Sequence, residues 1–234
     1  MKRLITVVVV LVTAAGLSAC EKTEYVEQMD AGVQEDAGQD DAAPQCGPDT
    51  YPCPPYGTVP NTVMENLTFT GWVDENSDGD PLTDPYRTWG LDYFYQLGKA
   101  GQAKFLMLNA SAGWCTVCRA ETRTLNALQA DYLDQGVRLA QILFEDNEYN
   151  PATKQFVQDW ETTYKLTFPI GLDAAFKTGR YFDIAATPAN FVIALRDMTV
   201  NGVPVKAMEM MTLMTGYSET ELRALLDDFI ANSE

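Results

Sequence analysis

Histidine is absent from all 234 residues of the sequence. This absence excludes Ser-His-Asp and Cys-His catalysis, and it excludes zinc or haem sites that depend on an imidazole ligand. Basic residues are also scarce, with 16 lysines and arginines against 33 acidic residues and a formal charge of −17. Because a phosphate backbone needs a basic surface, nucleic acid is not an expected partner.

The first segment has the pattern of a targeting sequence. Lys2 and Arg3 precede an apolar run over residues 4–16, and small residues follow before Cys20. The run is short for a membrane span, although a simple N-terminal anchor is the alternative. The ending "LSAC" resembles the bacterial lipoprotein box. That resemblance implies a signal peptide over 1–19, a lipid anchor on Cys20 and a domain in the cell envelope, outside the cytoplasm.

The next two segments are poor in apolar residues. Residues 20–45 are rich in acidic residues, alanine, glycine and glutamine, which predicts a disordered, self-repelling tether. Residues 46–60 are rich in proline and contain Cys46 and Cys53, with six residues between them. In an oxidising compartment this spacing favours a small structural disulfide loop. A second redox centre is the alternative interpretation.

Residues 61–234 are long enough for one domain with a sizeable core. Strand-like runs occupy 66–73, 104–111, 137–145, 168–173 and 189–195. A further run over 205–214 is expected as an edge strand after an Asn201-Gly202 turn. Helical patterns occupy 116–134, 150–166, 174–182 and 218–234, with Ser218 as N-cap, and 87–97 is expected as a connecting segment. This order predicts an α/β fold with a mixed central sheet and helices on both faces.

Two of the five cysteines stand in the sequence "GWCTVC", between a predicted strand and a predicted helix. Cys115 would begin the helix, where free N–H groups and the helix dipole stabilise a thiolate. Cys118 is one turn later and could close a disulfide that exchanges with an external one. Two alternatives are a zinc site shared with Cys46 and Cys53, and a purely structural disulfide.

Two motifs together resemble the thioredoxin superfamily. "GWCTVC" resembles its Trp-Cys-x-x-Cys site, with Trp114 before the pair. "ATPAN" (186–190) resembles its cis-proline loop, directly before a strand. The resemblance implies a thioredoxin-like fold with an N-terminal β extension. It also implies that Pro188 is cis, and that Thr187 faces the disulfide and binds substrate backbone.

Within the superfamily the chain most resembles the membrane-tethered TlpA/ResA-like thiol-disulfide oxidoreductases of the redoxin type. Those proteins often carry a glutamate three residues after the second cysteine, and Glu121 is there. Helical spacing places Glu121 on one stripe with Cys118 and Leu125, where burial would raise the carboxyl pKa and suit proton transfer. The alternative is a surface glutamate paired with Arg119 or Arg123. Thr116-Val117 replaces the Gly-Pro of thioredoxin, so the direction of exchange stays open.

An acidic segment, "DENSDGD" (74–80), resembles a calcium loop. Its oxygen ligands would come from Asp74, Asn76, Asp78 and Asp80, with Asp84 adjacent to the twelfth position, where a proline replaces the usual glutamate. A solvated turn rich in Asp, Asn and Gly is the alternative. A bound ion would be structural, and no other cofactor is expected.

The resulting prediction is a cell-envelope enzyme that exchanges electrons with protein thiols and disulfides and is served by an upstream thiol donor. One alternative is a thioredoxin-like module that binds peptides or a metal without turnover. Another is a peroxiredoxin-type peroxidase. The latter needs Thr or Ser three residues before the reactive cysteine, where this chain has Ala112.

Overall fold

The computed structural model describes residues 46–47, 49–76 and 78–234. The expected signal peptide over 1–19, the lipidation site Cys20 and the acidic tether over 20–45 lie outside the described residues. In the part of the chain that is described, no helix combines the length and the apolar character needed to cross a membrane.

The described residues form ten strands and four α-helices. The strands are β1 (Thr62–Val63), β2 (Thr68–Trp72), β3 (Arg87–Gly90), β4 (Phe105–Ala112), β5 (Val137–Glu145), β6 (Ile170–Leu172), β7 (Ala189–Ala194), β8 (Met198–Val200), β9 (Val203–Val205) and β10 (Glu209–Thr215). The helices are α1 (Leu91–Lys99), α2 (Thr116–Tyr132), α3 (Lys154–Tyr164) and α4 (Glu219–Ala231).

Eight strands form one sheet in the order β1-β10-β7-β4-β5-β6-β2-β3, and β8 and β9 form a separate hairpin. β4, β5 and β6 are parallel, and the other neighbouring pairs are antiparallel. The parallel pairs are joined through α2 and α3, as crossover connections require. The sheet is therefore mixed, as the order of predicted elements indicated.

Successive residues of β4 alternate between the two faces of the sheet. Leu106 and Leu108 pack in one buried cluster with Phe94 of α1. Phe105 and Met107 pack in a second cluster to which α2, α3 and α4 all contribute. Both faces are covered, which explains why β4 reads as a continuous apolar run.

The segment expected as a connection over 87–97 is instead β3 and most of α1. Its aromatic residues favour strands by intrinsic propensity. The buried positions Leu91, Phe94, Tyr95 and Gly98 nevertheless recur at helical spacing, and their burial against the sheet decides the helix.

The run over 205–214 is not an edge strand. Asn201 and Gly202 close the β8–β9 hairpin, and β10 begins only at Glu209. β1 then pairs outside β10 and forms the edge of the sheet. β1 has only two residues, which is too short for any periodicity in the sequence to indicate it.

The N-terminal extension is attached to the sheet by a disulfide loop. Cys46 and Cys53 are bonded to each other. Tyr51 between them is buried, donates to the Met64 carbonyl oxygen at 3.0 Å and packs edge-on against Tyr95 of α1. These contacts are those of a structural disulfide loop, which the spacing of Cys46 and Cys53 favoured.

Candidate active site

The two cysteines of "GWCTVC" meet at the start of α2. Cys115 is the N-cap, its sulfur is bonded to that of Cys118, and it accepts a hydrogen bond from the Cys118 N–H at 3.0 Å. Cys115 keeps 5% of its surface exposed, whereas Cys118 has none. Cys115 is therefore the more reachable of the two cysteines, and it lies at the positive end of a 17-residue helix.

The loop after β5 packs against Gly113, two residues before Cys115. Gly113 permits this contact, because a Cβ there would lie 2.7 Å from the Asp146 carbonyl carbon. Trp114 donates from its indole N–H to Glu145 Oε2 at 2.7 Å and stacks on Tyr149 with ring centroids 5.1 Å apart. Trp114 is thus fixed beside the disulfide by β5 and the loop after it.

The proline loop lies beside Cys115. The Thr187–Pro188 bond is cis, as the resemblance implied. The Thr187 carbonyl oxygen is 3.8 Å from Cys115 Sγ, and its hydroxyl donates to the Ile184 carbonyl oxygen at 2.7 Å. Val117 and Ile184 keep 46% and 37% of their surfaces exposed. The Thr187 backbone therefore lies beside the Cys115 sulfur, and α2 and the proline loop each carry an exposed apolar side chain.

Glu121 is fully buried on the face of α2 that carries Cys118. Its two carboxylate oxygens accept from Asn190 Nδ2 at 2.7 Å and from Asn109 Nδ2 at 2.9 Å. Burial raises the pKa of this carboxyl to about 7, and the two amide hydrogen bonds oppose that rise. The carboxyl can therefore take or give a proton near neutral pH.

The alternative of a surface glutamate paired with arginine is wrong. Arg119 donates to the Trp114 carbonyl oxygen at 3.5 Å, and Arg123 lies over the Tyr164 ring. Neither forms an ion pair with Glu121 among the described residues. The stripe predicted from helical spacing is the buried face of α2.

The polar partners of Glu121 were not found from the sequence. Asn109, Gln141 and Asn190 are buried in three central strands that otherwise read as apolar runs. A single amide inside such a run was the available signal, because a polar side chain is buried only when it is hydrogen-bonded. What the sequence could not show is that Asn109 and Asn190 meet one carboxyl, and that Gln141 is joined to it through Asn109.

The acidic loop uses its side-chain oxygens within the loop itself. Asp74 accepts from the N–H groups of Asp78 and Gly79, and Asp80 accepts from that of Leu82. Over 46–47, 49–76 and 78–234, no group of three or more acidic or cysteine side chains is arranged to hold a metal ion. The described contacts are those of a self-capped turn, and calcium binding stays a prediction.

A four-cysteine zinc site does not form. Cys46 is bonded to Cys53, and Cys115 is bonded to Cys118. Each sulfur is thus already engaged within its own pair.

Known proteins with related sequences match the central part of the chain. The model of the AhpC/TSA family matches residues 93–201. The thiol-disulfide oxidoreductase ResA of Oceanobacillus iheyensis is 29% identical over 92 residues, which cover 39% of this chain and 45% of that protein. The thioredoxin-like protein YneN of Bacillus subtilis is 30% identical over 112 residues, covering 46% of this chain and 63% of that protein.

The chain has a thioredoxin-like fold. A crystal structure of a DsbE-type thiol:disulfide interchange protein from Chlorobium tepidum has the same fold, with a TM-score of 0.51 over 75% of this chain and 99% of that one, at 14% identity. The thioredoxin-like fold implied by the two motifs is confirmed, and the central part of the chain is similar in sequence to ResA and YneN. The matches span about half the length of the curated ResA relatives, and the Cys115–Cys118 pair and the Thr187–Pro188 loop lie within residues 93–201.

Proposed function

We propose that this protein is a thiol-disulfide oxidoreductase of the thioredoxin superfamily that acts on protein disulfides through Cys115 and Cys118. The observation that carries the proposal is the reachable Cys115 sulfur at the N-cap of α2, bonded to a covered Cys118 and 3.8 Å from the Thr187 carbonyl oxygen. The names of the ResA relatives support the same chemistry.

In the reducing direction, the Cys115 thiolate attacks one sulfur of a substrate disulfide. The substrate S–S bond breaks, a mixed disulfide forms and the second substrate sulfur leaves as a thiolate. Cys118 then gives its proton to Glu121 and attacks Cys115 Sγ, which closes the Cys115–Cys118 disulfide and releases the first substrate sulfur. Two electrons pass to the substrate, and protons from Glu121 and water complete its thiols. Oxidation is the same sequence in reverse.

The groups around the sulfur have separate roles in this proposal. Thr187 and Pro188 bind the backbone on either side of the substrate cysteine, because their loop lies against Cys115. Trp114, held by Glu145 and Tyr149, packs against the buried cluster that contains the pair. Glu121 serves Cys118 from the buried face of α2.

We also propose that the domain acts in the bacterial cell envelope. The support is the pattern of residues 1–20, with a lipid anchor on Cys20 and the acidic segment over 20–45 as a tether. Its partners would be protein thiols and disulfides in that compartment, with an upstream thiol donor that returns the pair to its reduced state. A peroxidase is less well supported, because Ala112 at the end of β4 supplies no hydroxyl to a peroxide.

The proposal is tested by insulin reduction with dithiothreitol as the electron source. We expect the wild type to accelerate precipitation of reduced insulin and Cys115→Ser to lose the acceleration, because the nucleophilic sulfur is gone. The double variant Cys46→Ser/Cys53→Ser is the matched control and should keep the wild-type rate if that disulfide is structural. Equal rates for wild type and Cys115→Ser would instead favour a binding module without turnover.

A further inference from the structure

Three side-chain amides lie in one row across the centre of the sheet. Asn109 of β4 is paired directly with Asn190 of β7 on one side and with Gln141 of β5 on the other. All three are at most 2% exposed. Side chains alternate along each strand, so these amides continue the face formed by Phe105 and Met107, which is the face that α2 covers.

The hydrogen bonds along this amide row run in one direction. Trp160 of α3 donates to Gln141 Oε1 at 3.0 Å, and Gln141 Nε2 donates to Asn109 Oδ1 at 2.9 Å. Asn109 Nδ2 donates to Glu121 Oε2 at 2.9 Å and to Asn190 Oδ1 at 2.8 Å. Asn190 Nδ2 completes the set by donating to Glu121 Oε1 at 2.7 Å.

A donor-only group fixes this direction. The indole N–H of Trp160 cannot accept, so it requires the oxygen of Gln141 to face it, and the amide nitrogen must then face Asn109. A 180° flip of the Asn109 amide would place its nitrogen next to the Gln141 nitrogen and its oxygen next to the Glu121 carboxylate, and both contacts would be repulsive. Each bond also polarises the next, because the amides are buried in a medium of low dielectric constant. The row therefore presents donors to both oxygens of Glu121.

We propose that Asn109, Asn190 and Gln141 are positioning residues that hold Glu121 as a doubly accepting carboxylate one helical turn from Cys118. That the carboxylate exchanges protons with Cys118 rests on the proposed function. That the amides position the carboxylate does not. Amide dipoles here replace the cation that usually accompanies a buried carboxylate. When Glu121 takes a proton from Cys118, the proton binds an oxygen that already faces an amide donor. Because the donors stabilise the charged carboxylate, they favour release of that proton.

Few other titratable groups face Glu121. Cys118 lies on the same stripe of α2. Tyr217, just before α4, interacts electrostatically with Glu121, shares a 2.7 Å hydrogen bond with Thr124 and donates to Glu219. Within the described residues no lysine or arginine forms an ion pair with Glu121. The amide row is therefore the main polar influence that opposes burial.

The test follows the titration of Glu121 by carbon-13 NMR of protein labelled at glutamate carboxyls, with its signal assigned by its loss in Glu121→Gln. In the isosteric Asn190→Asp the midpoint should rise by about one pH unit or more, since a donor to the charged form is lost and a negative charge is added. Asn190→Val removes the donor without adding charge, so a smaller rise in the same direction is expected. Asn201→Asp adds the same charge on the exposed β8–β9 turn and should leave the midpoint unchanged.

An unchanged midpoint in both Asn190 variants would overturn the positioning role. So would a rise in Asn190→Asp alone with a folded Asn190→Val at the wild-type value, since the added charge would then be the whole effect. If Asn190→Val does not fold, an unchanged midpoint in Asn190→Asp decides against the inference. The measurement uses the disulfide form and needs no turnover, so failure of the insulin assay would count against the proposed function and not against this one.

Discussion

Cys118→Ser is expected to capture its substrate as a stable mixed disulfide on Cys115. The first attack needs only the Cys115 thiolate, but release of the substrate requires a second sulfur bonded to the first, as Cys118 is here. Positioned intramolecular groups reach effective molarities of about 10⁵ M or more, so release should slow by at least ~1,000-fold. Non-reducing electrophoresis and peptide mass spectrometry, with insulin as the disulfide substrate, would detect the adduct.

Two matched variants locate the captured substrate. Cys115→Ser should form no adduct, and Cys46→Ser/Cys53→Ser/Cys118→Ser should form as much as Cys118→Ser alone. Wild-type turnover by Cys118→Ser, or an adduct on Cys46 or Cys53, would contradict the assignment of Cys115 as nucleophile and Cys118 as resolving residue.

Glu121 is expected to make folding stability fall as pH rises. The folded-state pKa of about 7 lies above the ordinary 4.5, so the folded protein holds this proton more tightly than the unfolded chain does. The associated stability is fully present below about pH 4.5 and is lost as pH rises through 7. At 1.36 kcal/mol per pKa unit, the loss is about 3 kcal/mol.

Denaturant unfolding of the oxidised protein between pH 4.5 and 8 measures this effect. The quantity compared between wild type and Glu121→Gln is the slope of the free energy of unfolding against pH. Glutamine does not titrate, so the variant should lack this component of the pH dependence. Glu148→Gln alters an exposed carboxyl and should keep the wild-type slope. Parallel pH profiles for wild type and Glu121→Gln would show that burial does not retain the proton as described.

The sequence was most informative where a structural signal is local. The apolar run before "GWCTVC" and Gly136, which has a left-handed backbone at the end of the α2 region, delimit the strand and helix that place the cysteines. Ser218 accepts from the Glu221 N–H as the predicted N-cap of α4. Each of these signals acts over a few residues, so it can be recognised without knowledge of the tertiary structure.

The features that were missed depend on contacts between distant segments. Asn109 and Asn190 are 81 residues apart and meet only because β4 and β7 pair in one particular register. The register also decides which face of the sheet a strand amide lies on. A shift of one residue would move it to the opposite face. α1 was missed because the aromatic side chains over 93–95 favour strands until burial against the sheet is considered.

The central claim is that a reachable sulfur lies at the positive end of α2 with a covered partner one turn later. Iodoacetamide alkylation of the reduced protein from pH 5 to 10, with each cysteine followed by peptide mass spectrometry, tests it directly. We expect Cys115 to react with a midpoint below the ordinary thiol value of about 8.5, and Cys118 to stay unmodified while the protein is folded. Inert thiols at neutral pH, or Cys118 reacting before Cys115, would contradict it.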